Sequence, residues 1–198
     1  MKKLTQLLCL AVMVTFSTSA AYANGLSRAD ASRIFAACKA AVIANAMWCA
    51  VVDREGQLLL IKSTDTNGTP ANPAGSDAWR GSIEIAIAKA FTGVAFSNAT
   101  TAIDSKLVGV LAQPGGPLFG IGDTNPYRTL GGGPGDDAVG KRHRGIVTFP
   151  GGEPVYHCTT GELLGGVGVS GDSVANDENV AEAAIINAGF CNPATDAP

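Results

Sequence analysis

The chain has 198 residues, 14 Lys or Arg against 17 Asp or Glu, 25 glycines and only two histidines. That length suits one domain with a substantial core. The acidic balance and the lack of a long basic run argue against a nucleic-acid partner.

Residues 1–23 read as a secretory leader rather than as part of the fold. Lys2 and Lys3 form a basic start, "LLCLAVMVTF" is a short apolar run, and Ala21–Ala23 form a small-x-small cleavage site. The run is too short to span a bilayer permanently, and Cys9 lies too early in it to become a lipidated first residue. Cleavage after Ala23 is expected to leave a 175-residue exported domain, 24–198, with 12 basic and 17 acidic residues, a net charge of −5. No later apolar stretch predicts a membrane span. The expected location is periplasmic or secreted.

Four cysteines remain in the mature chain, and an even number in an exported protein favours disulfides. There is no C-x-x-C pair, so a structural zinc cluster is not expected.

In chain order, "SRADASRIFAACKAAVIANA" (27–46) predicts a helix, with Ser27 and Asp30 spaced as a capping box. "WCAVVD" (48–53) and "LLLIKS" (58–63) predict a hairpin around an Arg-Glu-Gly turn. A polar, proline-containing loop (64–76) leads to a second helix over 77–91, capped by Ser76 or Asp77. Its Ile83, Ile87 and either Ala86 or Ala90 face the core. Periodicity leaves 102–112 open between helix and strand. Residues 113–143 are rich in Gly, Pro and Asp and read as a long loop, of a length that signals either a functional segment or a misread element.

"GIVTF" (145–149), "EPVYHC" (153–158) and "LLGGVGVS" (163–170) predict three strands joined by tight turns, an antiparallel meander. A closing helix over 172–190 ends at Gly189. That helix must run back along the strand before it, which brings Cys191 near the turn after Cys158. A Cys158–Cys191 disulfide is therefore expected, and by exclusion Cys38 pairs with Cys49.

The run "FPGGEPVYHCTTGELLGGVGVSGDSVANDENVAEAA" resembles the C-terminal signature of the haem-binding HbpS/GlcG family, a module also found at the C-terminus of some corrinoid adenosyltransferases. "VVDREGQLLL" is similar to that family's hairpin and "AKAFTGVAF" to its helix end. The resemblance spans about residues 27–190, thins over 103–144, and departs from the family in the length of the central loop. It implies an α+β fold: an antiparallel sheet of about five strands with helices packed on it, profilin-like. It also implies haem as cofactor, a protein able to assemble into a homo-oligomer, and a ligand cleft between the sheet and the second helix. The cleft residues would be Arg80, Glu84, Lys89 and Thr92.

The residues themselves leave alternatives open. Gly165, Gly166 and Gly168 inside a strand mean that something approaches its backbone closely, either a packed helix or a flat ligand. Ser170 and Gly171 ahead of a helix present amides suited to a carboxylate or haem propionate, or simply mark tight packing. His143 and His157 are the candidate haem or metal ligands. Arg142 and Arg144 beside His143 could pair with carboxylates. The plain alternatives are a solvated basic patch around His143 and an exposed hairpin position for His157. Lys89 could be a surface lysine with a buried stem. Glu84 could be exposed or paired with Arg80, and Asp177 and Glu178 serve the last helix's dipole. Tyr127 and Arg128 are candidate lid residues.

No Ser-His-Asp spacing, phosphate loop or dinucleotide fingerprint is present. The expected function is exported haem or tetrapyrrole binding. The alternatives are a small-molecule enzyme using Glu84, Lys89 or His143 for acid–base chemistry of the lyase type, and a non-catalytic sensor or accessory module.

Overall fold

The computed structural model describes residues 25–42, 45–65, 78–124 and 145–193. Helix α1 is Arg28–Ala41, followed by strands β1 (Trp48–Asp53) and β2 (Leu58–Ser63). Helices α2 (Ser82–Ala95) and α3 (Ser105–Leu111) come next, then β3 (Gly152–Tyr156), β4 (Leu163–Ser170) and helix α4 (Val174–Asn187). The fold is α+β. Among the described residues the four strands form one antiparallel sheet in the order β2-β1-β4-β3, not one of five. No helix among them is long and apolar enough to cross a membrane.

Strand alternation divides the core into two clusters. Cys49 and Val51 of β1 and Val167 and Val169 of β4 meet α1 and α4 through Ile34, Cys38, Ala181 and Ile185. Ala50 and Val52 point the other way, onto Ala86, Ile87, Ala90 and Val94 of α2. Both Ala86 and Ala90 therefore face the core. Three layers result, with the sheet in the middle.

The local signals mostly act where the sequence places them. The Ser27 hydroxyl accepts the Asp30 amide proton at 3.2 Å, and the Asp30 carboxylate accepts the Ser27 amide proton at 2.9 Å, closing the capping box. Helix α1 ends at Ala41, short of residue 46, because Val42 is already extended. The β1–β2 turn is held by the Asp53 carboxylate, which accepts from the amides of Glu55 and Gln57. The stretch 102–112 resolves as α3, capped by Asp104. Helix α2 begins at Ser82, five residues later than expected, and runs to Ala95; its N-cap is Gly81, with no side-chain cap, in place of the expected Ser76 or Asp77, which lie outside the described residues.

The expected strand at 145–149 is absent. Its Val147 amide donates to the Thr92 hydroxyl on α2 at 3.0 Å, and the Thr148 carbonyl sits against Gly109 of α3. Helix partners thus take the backbone that a sheet ladder would have used. The meander reduces to the β3–β4 hairpin, and β4 pairs with β1 on its other side.

Cys158 and Cys191 are disulfide-bonded, with Cα atoms 5.0 Å apart. Cys191 also exchanges two backbone hydrogen bonds with Tyr156, so the segment after α4 closes beside β3. The expected Cys38–Cys49 bond is not formed. Both residues are buried free thiols, and a hydrogen bond to Cys49 together with burial pushes the Cys38 thiol well above its ordinary value.

The glycines of β4 receive a structural answer. A Cβ on Gly168 would collide with the carbonyl of Ala86 and the amide of Ala90, and one on Gly166 with the carbonyl of Ala90. Helix α2 lies backbone-to-backbone on β4. On the opposite face, a Cβ on Gly165 would meet Leu26 and the Val52 carbonyl.

Two outcomes follow. Gly168→Ala pushes backbone against backbone and is expected to cost about 3 kcal/mol, read as a shifted urea midpoint. Asp30→Asn should cost about 1 kcal/mol at pH 7. Burial by itself raises the Asp30 carboxyl, but the hydrogen bonds from Ser27 and the Arg33 guanidinium outweigh it and hold its pKa below 3.8. The stability it adds is therefore complete above pH 3.8 and is lost as pH falls through the lower folded-state value. The gap between wild type and Asp30→Asn should close as urea titrations are taken into that acid range.

Candidate functional site

The residues expected to form one cleft are distributed over the molecule. Arg80 and Glu84 are exposed at the start of α2. His157 follows the end of β3, beside the start of β4. Helix α2 runs antiparallel to β4, since Ala86 meets Gly168 while Val94 meets Gly166. The start of α2 and His157 consequently sit at opposite ends of a 14-residue helix, about 20 Å long at 1.5 Å per residue. One ligand cannot be gripped by both. His143 and Arg144, like Arg142, Tyr127 and Arg128, lie outside the described residues.

Gly165 and Gly168 line no hollow, because Leu26 and the backbone of α2 fill the space beside them. The expected flat guest against this wall is replaced by a helix. Nor does Ser170 open onto an anion seat: it is 5% exposed. Beyond it, the chain's own carboxylates take the amides, with Asp172 donating its amide proton to Asp177 at 3.0 Å and Ser173 donating to Asp172 at 2.6 Å.

Lys89 is neither a surface lysine nor a cleft residue. It is fully buried; its Nζ donates to Asp177 Oδ2 at 2.7 Å and to the Val169 carbonyl at 2.8 Å, and lies 5.1 Å from the Phe149 ring centre. Burial pushes the Lys89 ammonium down, with the Asp177 carboxylate countering only part of that shift. Burial likewise pushes the Asp177 carboxyl up against the pull of Lys89. Thr92 is equally internal, donating to the Ala88 carbonyl and accepting from Val147.

At the other end of the sheet, Ala99–Ala102, Tyr156, His157, Gly161, Pro193 and the Cys158–Cys191 disulfide line a surface pocket of about 410 Å³, within the range of small-molecule sites. The Tyr156 hydroxyl is held by the carbonyls of Asn98 and Thr101. His157 Nδ1 accepts the amide protons of Thr159 and Thr160, each at 3.2 Å. In the neutral ring this hydrogen-bond pattern places the proton on Nε2. Binding iron through Nε2 would require moving that proton to Nδ1, against two amide donors. As folded, His157 caps the turn.

Sequence reasoning missed a second polar centre. Asp104, Glu153 and Glu178 are all buried, and one carboxylate oxygen from each lies within 4.8 Å of the others. Asp104 caps α3, and Glu178 Oε2 accepts the Gly151 amide proton at 2.9 Å. Burial, with Asp104 and Glu178 nearby, holds the Glu153 carboxyl well above its ordinary value. The available signal was a glutamate inside "EPVYHC" at the edge of an apolar sheet. Glu178 also has a role beyond the dipole, since it fixes the turn entering β3.

Lys89→Met would leave Asp177 buried without its cation. The expected loss is about 3–5 kcal/mol, measured by urea unfolding, with part restored by replacing Asp177 as well.

A family model described as "haem degrading protein HbpS-like" matches residues 26–186. An uncharacterized 15.0 kDa protein from the dhaT–dhaS intergenic region of Citrobacter freundii is 32% identical over 135 residues, which cover 68% of this chain and 70% of that protein. The crystal structure of Klebsiella pneumoniae ORFY superposes with a TM-score of 0.60 at 26% identity, covering 92% of this chain and 97% of the other. That of a PduOC–haem complex gives 0.59 at 27% identity, covering 84% and 97%. With the family pattern running from Leu26, just ahead of α1, to Ile186 in the last turn of α4, the chain belongs to the HbpS-like family.

Proposed function

We propose that this protein is an exported haem-binding protein that works in the periplasm or outside the cell. The observation that carries the reading is its likeness to the PduOC–haem complex over 84% of this chain, within a family described as haem-degrading. The leader read in residues 1–23 and the disulfide between Cys158 and Cys191 support export to an oxidising compartment. Self-association of copies is part of the same reading.

Among the described residues the interior does not fit a haem. Between α2 and the sheet the backbones touch at Gly166 and Gly168, and the polar groups there, Lys89 and Thr92, already have partners inside the chain. The haem of this reading therefore lies outside the contact between α2 and the sheet. Bound haem would supply iron and its redox chemistry, and the chain would supply a ligand to the iron and contacts to the propionates. Because His157 Nδ1 accepts from two amides, His143 is the histidine left to ligate iron, with Arg142 and Arg144 beside it to pair with propionates.

Titrating haemin into the purified mature chain tests this directly. A saturable Soret shift is expected in wild type and in His157→Ala, and its loss or displacement is expected in His143→Ala. No saturable shift in wild type removes the haem reading. A shift lost in His157→Ala but kept in His143→Ala overturns the ligand assignment.

A further inference from the structure

We propose that Asp104, Glu153 and Glu178 form a binding site for one hard divalent cation. The inference is independent of haem binding.

The three carboxylates come from separate elements: the N-cap of α3, strand β3 and the first turns of α4. Asp104 is 7% exposed, Glu153 0% and Glu178 6%. An acidic cluster alone would not define a site, but Glu153 adds an independent observation. Its Oε2 accepts from Asn192 Nδ2 at 2.8 Å, whereas its buried Oε1 has no hydrogen-bond partner. A buried carboxylate oxygen left without a partner is costly, and native folds rarely retain one.

Neighbouring cations do not resolve this. Lys106 is largely exposed and reaches only Glu178 Oε1, at 3.3 Å. Lys89 is committed to Asp177 and Val169. Glu182 adds a further negative charge near Glu153. A proton on Glu153 would neutralise one of the three carboxylates and leave the charge of the other two uncompensated. A cation placed among three oxygens that lie within 4.8 Å of one another answers all of them together.

The donor set defines the class of ion. All three ligands are carboxylate oxygens, with neither sulfur nor imidazole, which suits Mg²⁺, Ca²⁺ and Mn²⁺ over Zn²⁺ or Cu²⁺. The rest of the coordination shell would be water or nearby backbone carbonyls. Three ligands on separate elements make such an ion a clamp across α3, the sheet edge and α4. The exposed Lys106 marks the rim of the cluster.

The test uses the mature chain, freed of metal with a chelator and titrated with MnCl₂ while the signal of free Mn²⁺ is followed by electron paramagnetic resonance. One Mn²⁺ per chain is expected to disappear from solution, with competition by Ca²⁺ or Mg²⁺ and a Mn²⁺-dependent rise in Tm. Glu153→Gln should weaken binding at least about tenfold and abolish the rise in Tm. That variant removes a buried charge without changing shape, so it should fold. Asp104→Asn is the second variant, because asparagine still caps a helix, and the same loss is expected. The proposal is overturned if wild type leaves Mn²⁺ free with no change in Tm. It is equally overturned if both variants bind Mn²⁺ as wild type does, since the ion would then sit elsewhere. Haemin titration read alongside is expected to be unchanged by Glu153→Gln, which keeps the two readings separable.

Discussion

The structure depends on one close approach: the backbone of α2 resting on the backbones of β3 and β4. Gly166 and Gly168 on β4 remove the Cβ atoms that would hold the helix away, and Gly93 on α2 does the same against Glu153 and Pro154 of β3. Small residues on both sides bring two hydrogen-bonded surfaces into direct contact. This gains dispersion and excludes water at the cost of glycine's extra chain entropy.

That approach accounts for the buried lysine. Lys89 lies on the helix face that the sheet covers, so its side chain must find partners inside the molecule. It finds the Val169 carbonyl at the end of β4 and the Asp177 carboxylate at the start of α4. One ammonium thereby links α2, the sheet and α4. The same few residues organise the turn into β3, where Glu178 holds the Gly151 amide and Ser105 that of Gly152. The family signature around Pro150–Gly152, Ser170 and Asp177–Glu178 is to a large extent a description of this junction. It specifies a fold first.

The consequence for ligand binding is spatial. With the sheet covered on both faces, the described chain offers a ligand its rims: the exposed start of α2, and the pocket beside the Cys158–Cys191 bridge. A planar ligand would have to bind at a rim rather than in the core. The described interior instead gathers three carboxyl groups at the junction of α3, β3 and α4.

The sequence by itself determined what depends on neighbouring residues. The capping box of α1, the β1–β2 hairpin, the β3–β4 hairpin and the glycine ending α4 were all legible, because short-range hydrogen bonds and backbone geometry set them. Cys158 and Cys191 could be matched because one hairpin and one helix fix their separation. Tertiary structure decided the rest. Residues 145–149 have the composition of a strand, but a hydrogen bond to α2 and a close approach to α3 took its backbone. Cys38 and Cys49 met as predicted neighbours without bonding. The β4 glycines were compatible with a helix or a flat ligand, and only the position of α2 chose between them. Glu153 looked like one more strand residue until folding brought Asp104 and Glu178, 49 residues before it and 25 after, to the same point. Spacing along a chain does not record such meetings, because they are set by how whole elements pack.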